Sequence, residues 1–238
     1  MIPDHARAGG VTRMKHRHLR RRRVETGRTS GPAPAEQARA AMVEHLRTAG
    51  FTDSRVLEAM GTVPRERFVP PRTAAEAYGD HPVPIGAGQT ISAPDIVAMT
   101  AAALELTGTE SVLEVGGGSG YAAAVLSRLA GRVVTLERRG HLAERARNVL
   151  ADLGYDNIEV RHADGMAGAA DAAPFDAIAV AAMADEVPPA LFEQLTPDGV
   201  LVCPVGERSS GALLRFRGSG RELLSRVSFV PLREGLDR

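Results

Sequence analysis

The sequence predicts an α/β fold: a three-layer, doubly wound and mainly parallel sheet with an N-terminal helical segment ahead of it. Three observations carry this expectation. Short apolar runs alternate with helix-period segments from residue 111 to residue 204, the rhythm of parallel strands joined by crossover helices. A glycine cluster, Gly116-Gly117-Gly118-Ser119-Gly120, directly follows the first of those runs. Two further apolar runs, separated by a glycine-rich turn at residues 218–220, give the sheet an antiparallel end.

Taken in order, Ala38, Ala41, Met42, His45 and Leu46 recur at helical spacing, and Gly50 supplies a stop. A second helix is expected from Asp53, with Val56, Leu57 and Met60 on one face, ending near Gly61. The prolines at 64, 70 and 71 exclude regular helix, and residues 78–89, with three Gly and two Pro, read as an ordered loop. Pro94 suits the first turn of a helix that continues from Asp95 to Leu106. Strands are expected at 111–115, 132–136, 158–162, 175–181 and 200–204, the last after a Pro197-Asp198-Gly199 turn, and then at 213–217 and 224–230. Helices at 121–129, 141–153 and 188–194 complete the units.

At 238 residues and 25.2 kDa the chain suits one medium domain with a short tail. A single cysteine, Cys203, excludes an internal disulfide framework and any multi-thiolate zinc site, and the histidines show no ligand spacing, so no metal is expected. No apolar run approaches the roughly 18 residues of a membrane span, and no apolar stretch follows the basic N-terminus as a secretory signal requires. A cytoplasmic monomer without membrane contact is therefore expected. The formal net charge of zero hides an asymmetry, because residues 1–35 hold nine basic and two acidic side chains. That segment has almost nothing to fill a core and is expected to be a disordered basic tail ahead of a domain at 36–238. It is read as a solvated tail, or as sequence upstream of a start at Met14, in preference to a nucleic-acid arm.

The glycine cluster sits in Leu113-Glu114-Val115-Gly116-Gly117-Gly118-Ser119-Gly120-Tyr121. Glycine there lets the backbone turn tightly and approach a ligand. The G-x-G-x-G spacing is not a dinucleotide G-x-G-x-x-G, and no G-K-[ST] follows, which excludes a P-loop. Glu137 ends the second strand, where a carboxylate can accept from two ribose hydroxyls, and Asp164-Gly165 follows the third, where a carboxylate can bind an adenine amino group. All three features fall at carboxyl ends of strands, on one rim of the sheet. Spacing leaves both NAD and S-adenosylmethionine open, with a lean to the latter.

Further motifs identify a resemblance. Gly86-Ala87-Gly88-Gln89-Thr90-Ile91-Ser92-Ala93-Pro94, preceded by Ala77-Tyr78 and Pro82-Val83-Pro84-Ile85, resembles the signature of the protein-L-isoaspartate O-methyltransferase family. So do Val63-Pro64-Arg65-Glu66-Arg67-Phe68-Val69, the stretches 175–178, 187–191 and 195–206, and the closing Val227-Ser228-Phe229-Val230-Pro231-Leu232. The resemblance spans about residues 36–233. It implies a Rossmann-like class I methyltransferase that moves a methyl group from S-adenosylmethionine to the α-carboxylate of an L-isoaspartyl residue in a protein or peptide. The ester then collapses to a succinimide that opens partly to aspartate, a repair. Carried over by position, Ser92 and Thr90 are the catalytic residues, and Glu114, Gly116, Gly118, Gly120, Glu137, Asp164 and Gly165 are the cofactor contacts. A carboxylate is already ionised at neutral pH, so no strong base is required. Ser92 also suits an N-cap for the Pro94 helix. His81, between Asp80 and Pro82, reads as structural or solvent-facing, and Ala182 and Met183 as apolar lining near the methyl donor.

Three positions depart from the family pattern. Gly117 stands where members commonly have Thr, Ala87 where many have a larger or polar residue, and Ala181 where Thr is frequent. The last two are expected on the substrate side. They keep a second reading open, methylation of ordinary aspartate in a dedicated precursor peptide. A third reading, a non-catalytic cofactor- or nucleic-acid-binding protein, predicts binding that disappears with residues 1–35 and depends steeply on salt.

Overall fold

The computed structural model describes residues 33–207 and 210–237. The basic tail, up to residue 32, lies outside the described residues. Helix α1 (Pro34–Thr48) opens on a proline, which has no N–H to leave unsatisfied in a first turn, and buries Met42 and Leu46. In α2 (Ser54–Thr62) Asp53 is the cap: its Oδ1 accepts from the N–H of Arg55 at 2.9 Å and of Val56 at 3.3 Å. The proline-rich stretch that follows forms only short 3-10 turns, Arg65–Phe68 and Pro71–Glu76.

The expected loop at 78–89 is a correction. It contains strand β1 (Val83–Gly86), which pairs antiparallel with β2 (Gln89–Ile91). Ala87 and Gly88 join them with φ of +52° and +69°, the left-handed pair that a two-residue type I′ hairpin requires. Helix α3 (Pro94–Ala103) stops short of the expected Leu106 because Glu105 adopts a left-handed φ of +53°.

The main sheet holds β3 (Ser111–Val115), β4 (Arg132–Glu137), β5 (Ile158–His162), β6 (Phe175–Val180), β7 (Leu195–Glu207), β8 (Ser210–Arg217) and β9 (Gly220–Ser228), in the order β5-β4-β3-β6-β7-β8-β9. The first five in that order are parallel, and β8 and β9 are antiparallel. The Pro197-Asp198-Gly199 turn is absorbed into β7. Phe175 pairs with Leu195 and Ala177 already with Val200, so the stretch is an irregularity in the ladder.

The pleat divides the apolar residues between two cores. Leu113, Val115, Val134, Leu136, Ile178 and Val180 face one, shared with Leu191 of α6 (Pro189–Glu193). Val112, Val133, Ala177, Ala179, Val200 and Val202 face the other, packed by α1, α2, α3, α4 (Tyr121–Ser127) and α5 (Gly140–Asp152). Strands buried on both faces read as unbroken apolar runs, which is why they were legible in the sequence. Because β4 lies on one side of β3 and β6 on the other, the winding reverses at β3, and a crevice opens at the carboxyl ends of β3 and β6.

Candidate active site

The glycine turn is built at that crevice. The N–H groups of Gly116 and Gly117 donate to the Leu136 carbonyl at 2.9 and 3.0 Å and tie the turn to β4. Gly116 has a φ of +93°, and a Cβ there would lie 3.5 Å from the carbonyl carbon of Ala181. The Gly118 N–H donates to Glu137 Oε2, and the Arg139 N–H to Oε1, each at 2.8 Å. Both oxygens are thus oriented by backbone, yet each keeps a further lone pair to accept with. Glu137, Gly116, Gly118, Gly165, Thr90 and Ala181 contribute to the wall of a cavity of about 280 Å³.

Three of the residues expected to contact the cofactor, Gly120, Asp164 and Glu114, do not line this cavity. Gly120 lines no part of this cavity; a Cβ on it would come within 3.1 Å of the Ala146 Cβ, so its smallness lets α4 and α5 close together. Asp164 holds the 165–167 turn: its Oδ1 accepts from the Met166 N–H at 2.9 Å and its Oδ2 from the Gly235 N–H at 2.7 Å. Its neighbour Gly165 forms the wall, in a close approach to Val115 that no Cβ would permit. Glu114 lies beneath the turn, 1% exposed, and accepts from the Thr135 hydroxyl at 2.5 Å. Burial pushes its carboxyl up to about 8; the Thr135 bond opposes that rise and the nearby Glu137 charge adds to it.

A second cleft, of about 350 Å³, is lined by Pro82, Thr90, Ser92, Ala181, Phe229 and Pro231 among others. The two spaces share Thr90, Ala181, Val230 and Pro231 as a common wall. Ser92 also reaches a small apolar pocket that Glu114 lines. The cap of α3 is Ala93 and no side chain caps it, so the N-cap reading of Ser92 is overturned. Among the described residues nothing hydrogen-bonds the Ser92 hydroxyl, while its carbonyl accepts from Arg65 Nη2 at 2.7 Å. Ala181 stands between the two spaces, whereas Ala87 lines the glycine-turn cavity and not the second cleft, which corrects its expected side. His81 is exposed and lines neither. Ala182 lines the first, and Met183 is buried, its backbone N–H donating to the Val230 carbonyl at 2.8 Å.

Sequence reasoning missed part of the wall. Arg138, Arg139, Leu232 and Arg233 also line the glycine-turn cavity. The chain after β9 is fastened there: Arg138 Nε donates to the Gly235 carbonyl at 3.0 Å, and Arg139 Nη1 pairs with Asp237 Oδ2 at 3.0 Å. Two adjacent arginines after a strand carry no spacing that would point to such a role. Among the described residues no group of three His, Cys, Asp or Glu could hold a metal ion, and no helix is long and apolar enough to cross a membrane.

Comparison with known proteins adds an independent line. The family model described as Protein-L-isoaspartate(D-aspartate) O-methyltransferase (PCMT) matches residues 37–237. Protein-L-isoaspartate O-methyltransferase 2 of Anaeromyxobacter sp. is 49% identical over 207 residues, 85% of each chain. The protein-L-isoaspartate O-methyltransferase of Roseiflexus sp. is 52% identical over 198 residues, 82% of this chain and 91% of its own. Among solved structures, a protein-L-isoaspartate O-methyltransferase matches with a TM-score of 0.75 at 27% identity, covering 83% of this chain and 67% of its own. A Plasmodium falciparum beta-aspartate methyltransferase structure in complex with S-adenosyl-L-homocysteine matches at 0.70 and 26%, covering 82% and 98%. With the glycine turn, the Ser92 segment and nearly the whole described chain inside the match, this protein belongs to the protein-L-isoaspartate(D-aspartate) O-methyltransferase family.

Proposed function

We propose that this chain is an S-adenosylmethionine-dependent carboxyl O-methyltransferase acting on L-isoaspartyl residues of damaged proteins and peptides. The observation that carries the reading is the common wall: a cavity floored by the glycine turn and Glu137 meets a cleft that exposes Ser92 and Thr90. The residues present fit the cofactor. Glu137 keeps lone pairs for ribose hydroxyls, and Gly116, Gly118 and Gly165 leave the floor free of side chains. When bound, S-adenosylmethionine supplies a methyl group activated by a sulfonium.

The chain's own residues then position the acceptor. The Ser92 hydroxyl, free of internal partners, donates to one oxygen of the isoaspartyl α-carboxylate and leaves the other to attack. The other carboxylate oxygen would accept the methyl group that the sulfonium releases, and since no proton need move, these residues contribute position and not acid–base chemistry. Thr90 adds a hydroxyl on the common wall, and Asp164 anchors the turn that carries Gly165. The ester leaves the site to close spontaneously: a backbone amide nitrogen attacks it, methanol departs, and water opens the succinimide partly to aspartate.

The same reading takes residues 36–238 as the catalytic unit and the basic segment as an appendage dispensable for methyl transfer. It takes the enzyme as a cytoplasmic monomer. The test is transfer of labelled methyl to two matched peptides, one isoaspartyl and one aspartyl, scored as base-labile methyl ester. Strong preference for the isoaspartyl peptide is expected. Preference for the aspartyl peptide would turn the assignment towards a dedicated precursor, and activity on neither would overturn it.

A further inference from the structure

Arg65 is fully buried, although it comes from a short 3-10 turn rich in charge. Among the described residues no carboxylate pairs with its guanidinium. Nε donates to the Ala77 carbonyl at 2.5 Å, and Nη2 donates to the Ser92 carbonyl at 2.7 Å. The guanidinium carbon lies 4.7 Å from the centre of the Tyr121 ring, and Nη1 has no hydrogen-bond partner. Arginine keeps its charge in proteins, so burying it without a counter-ion is costly even with carbonyls and a ring face around it. Burial lowers its proton affinity, and Tyr121 works against that effect. A methionine or leucine would fill the space without the cost, which points to a use for the geometry of the guanidinium.

That geometry joins the two halves of the site. Ser92 opens onto the acceptor cleft, while Tyr121 is the first residue after Gly120, where α4 leaves the glycine turn. Phe68, from the same 3-10 turn as Arg65, packs edge-on against Tyr121 at 5.7 Å and holds its ring in place. One rigid planar group therefore braces the acceptor segment against the element that begins at the donor turn.

We propose that Arg65 is a positioning residue for methyl transfer, fixing the Ser92 segment at a set distance from the glycine turn by bridging the Ala77 and Ser92 carbonyls over the Tyr121 ring. The inference rests on the methyltransferase reading above. With no proton to move, the transfer depends on spacing, and a misplacement of about 1 Å can lower a rate by roughly 10²-fold.

The test is Arg65→Lys, which keeps a cation but has one nitrogen on a flexible stem and cannot span both carbonyls. Arg65 lines neither cavity, so the Kd for S-adenosylhomocysteine should stay within about threefold while kcat on the isoaspartyl peptide falls by roughly 10²-fold. In the cofactor-free protein, amide hydrogen exchange at residues 90–93 should quicken by about tenfold. Arg65→Lys combined with Ser92→Ala should lose less than the two separate losses multiplied, because one residue acts through the other. Wild-type exchange at 90–93 with unchanged kcat, or independent losses in the double variant, would overturn the role. If Arg65→Lys does not fold, Tyr121→Leu removes the ring face instead and is expected to shift the same readouts in the same direction. A wild-type protein that binds S-adenosylhomocysteine but methylates neither peptide overturns the methyltransferase reading itself, whereas an active wild type with an equally active Arg65→Lys overturns only the positioning role.

Discussion

The Thr135 hydroxyl occupies the space that a side chain on Gly117 would need. A Cβ built on Gly117 falls well inside 3.0 Å of Thr135 Oγ1, and that same oxygen holds the buried Glu114 at 2.5 Å. The absence of a side chain at 117 is thus coupled to a hydroxyl on the neighbouring strand. Gly117→Ala is expected to destabilise by about 1–3 kcal/mol through this collision. Thr135→Ala removes the obstructing oxygen but also leaves the buried Glu114 without its donor, so the double variant should lose clearly less than the two single losses added together. Denaturant unfolding of the two single variants and the double variant measures the coupling, and strictly additive changes would contradict it.

Glu114 gives stability a sign with pH. Its carboxyl is raised from an ordinary 4.5 to about 8, with burial as the main cause. Between those values the folded protein holds a proton that the unfolded chain has released. The stabilisation is therefore complete below about pH 4.5 and is lost as pH rises through about 8, by at most about 1.4 kcal/mol per pH unit for one proton. Glu114→Gln is neutral at every pH and still offers a carbonyl to Thr135, so its unfolding free energy should lack this slope. Comparing wild type with Glu114→Gln from pH 5 to pH 7.5 cancels the other groups. Parallel curves would mean that Glu114 is ionised in the fold.

The central sheet was legible because its strands are buried on both faces, so Ala177–Val180 or Val200–Cys203 read as plain apolar runs bounded by turns. The glycine turn and Glu137 were legible because the winding rule puts them on one rim. The β1–β2 hairpin was not. Its glycines and prolines carry the composition of a loop, and only the paired left-handed angles at Ala87 and Gly88 make it a hairpin. Arg65 was silent for another reason: a charged residue between Pro64 and Glu66 reads as exposed, and nothing local records that Ala77 and Ser92 will fold over it. Asp164 shows the limit of the rim argument: its register is right, yet it does not line the glycine-turn cavity, and no local pattern records that its Oδ2 will accept from Gly235 at the far end of the chain.

Glu137 offers the sharpest test of the cofactor side. Its two oxygens each receive a backbone N–H, from Gly118 and from Arg139, so a carboxylate is matched to the site in a way an amide is not. Glutamine has one acceptor oxygen; its NH2 must face one of those two donors, and one N–H of the turn loses its partner. The remaining acceptor sites, which the ribose hydroxyls would use, are halved and lose their charge. Hydrogen bonds to a charged group contribute about 1.5–3 kcal/mol, so Glu137→Gln should raise the Kd for S-adenosylhomocysteine by roughly 10- to 100-fold. Calorimetric titration reads this directly, with thermal unfolding of the cofactor-free proteins as the companion measurement. A modest fall in melting temperature belongs with the lost turn contact. A Kd within about twofold of wild type would place the ribose elsewhere and leave Glu137 as a brace for the glycine turn alone.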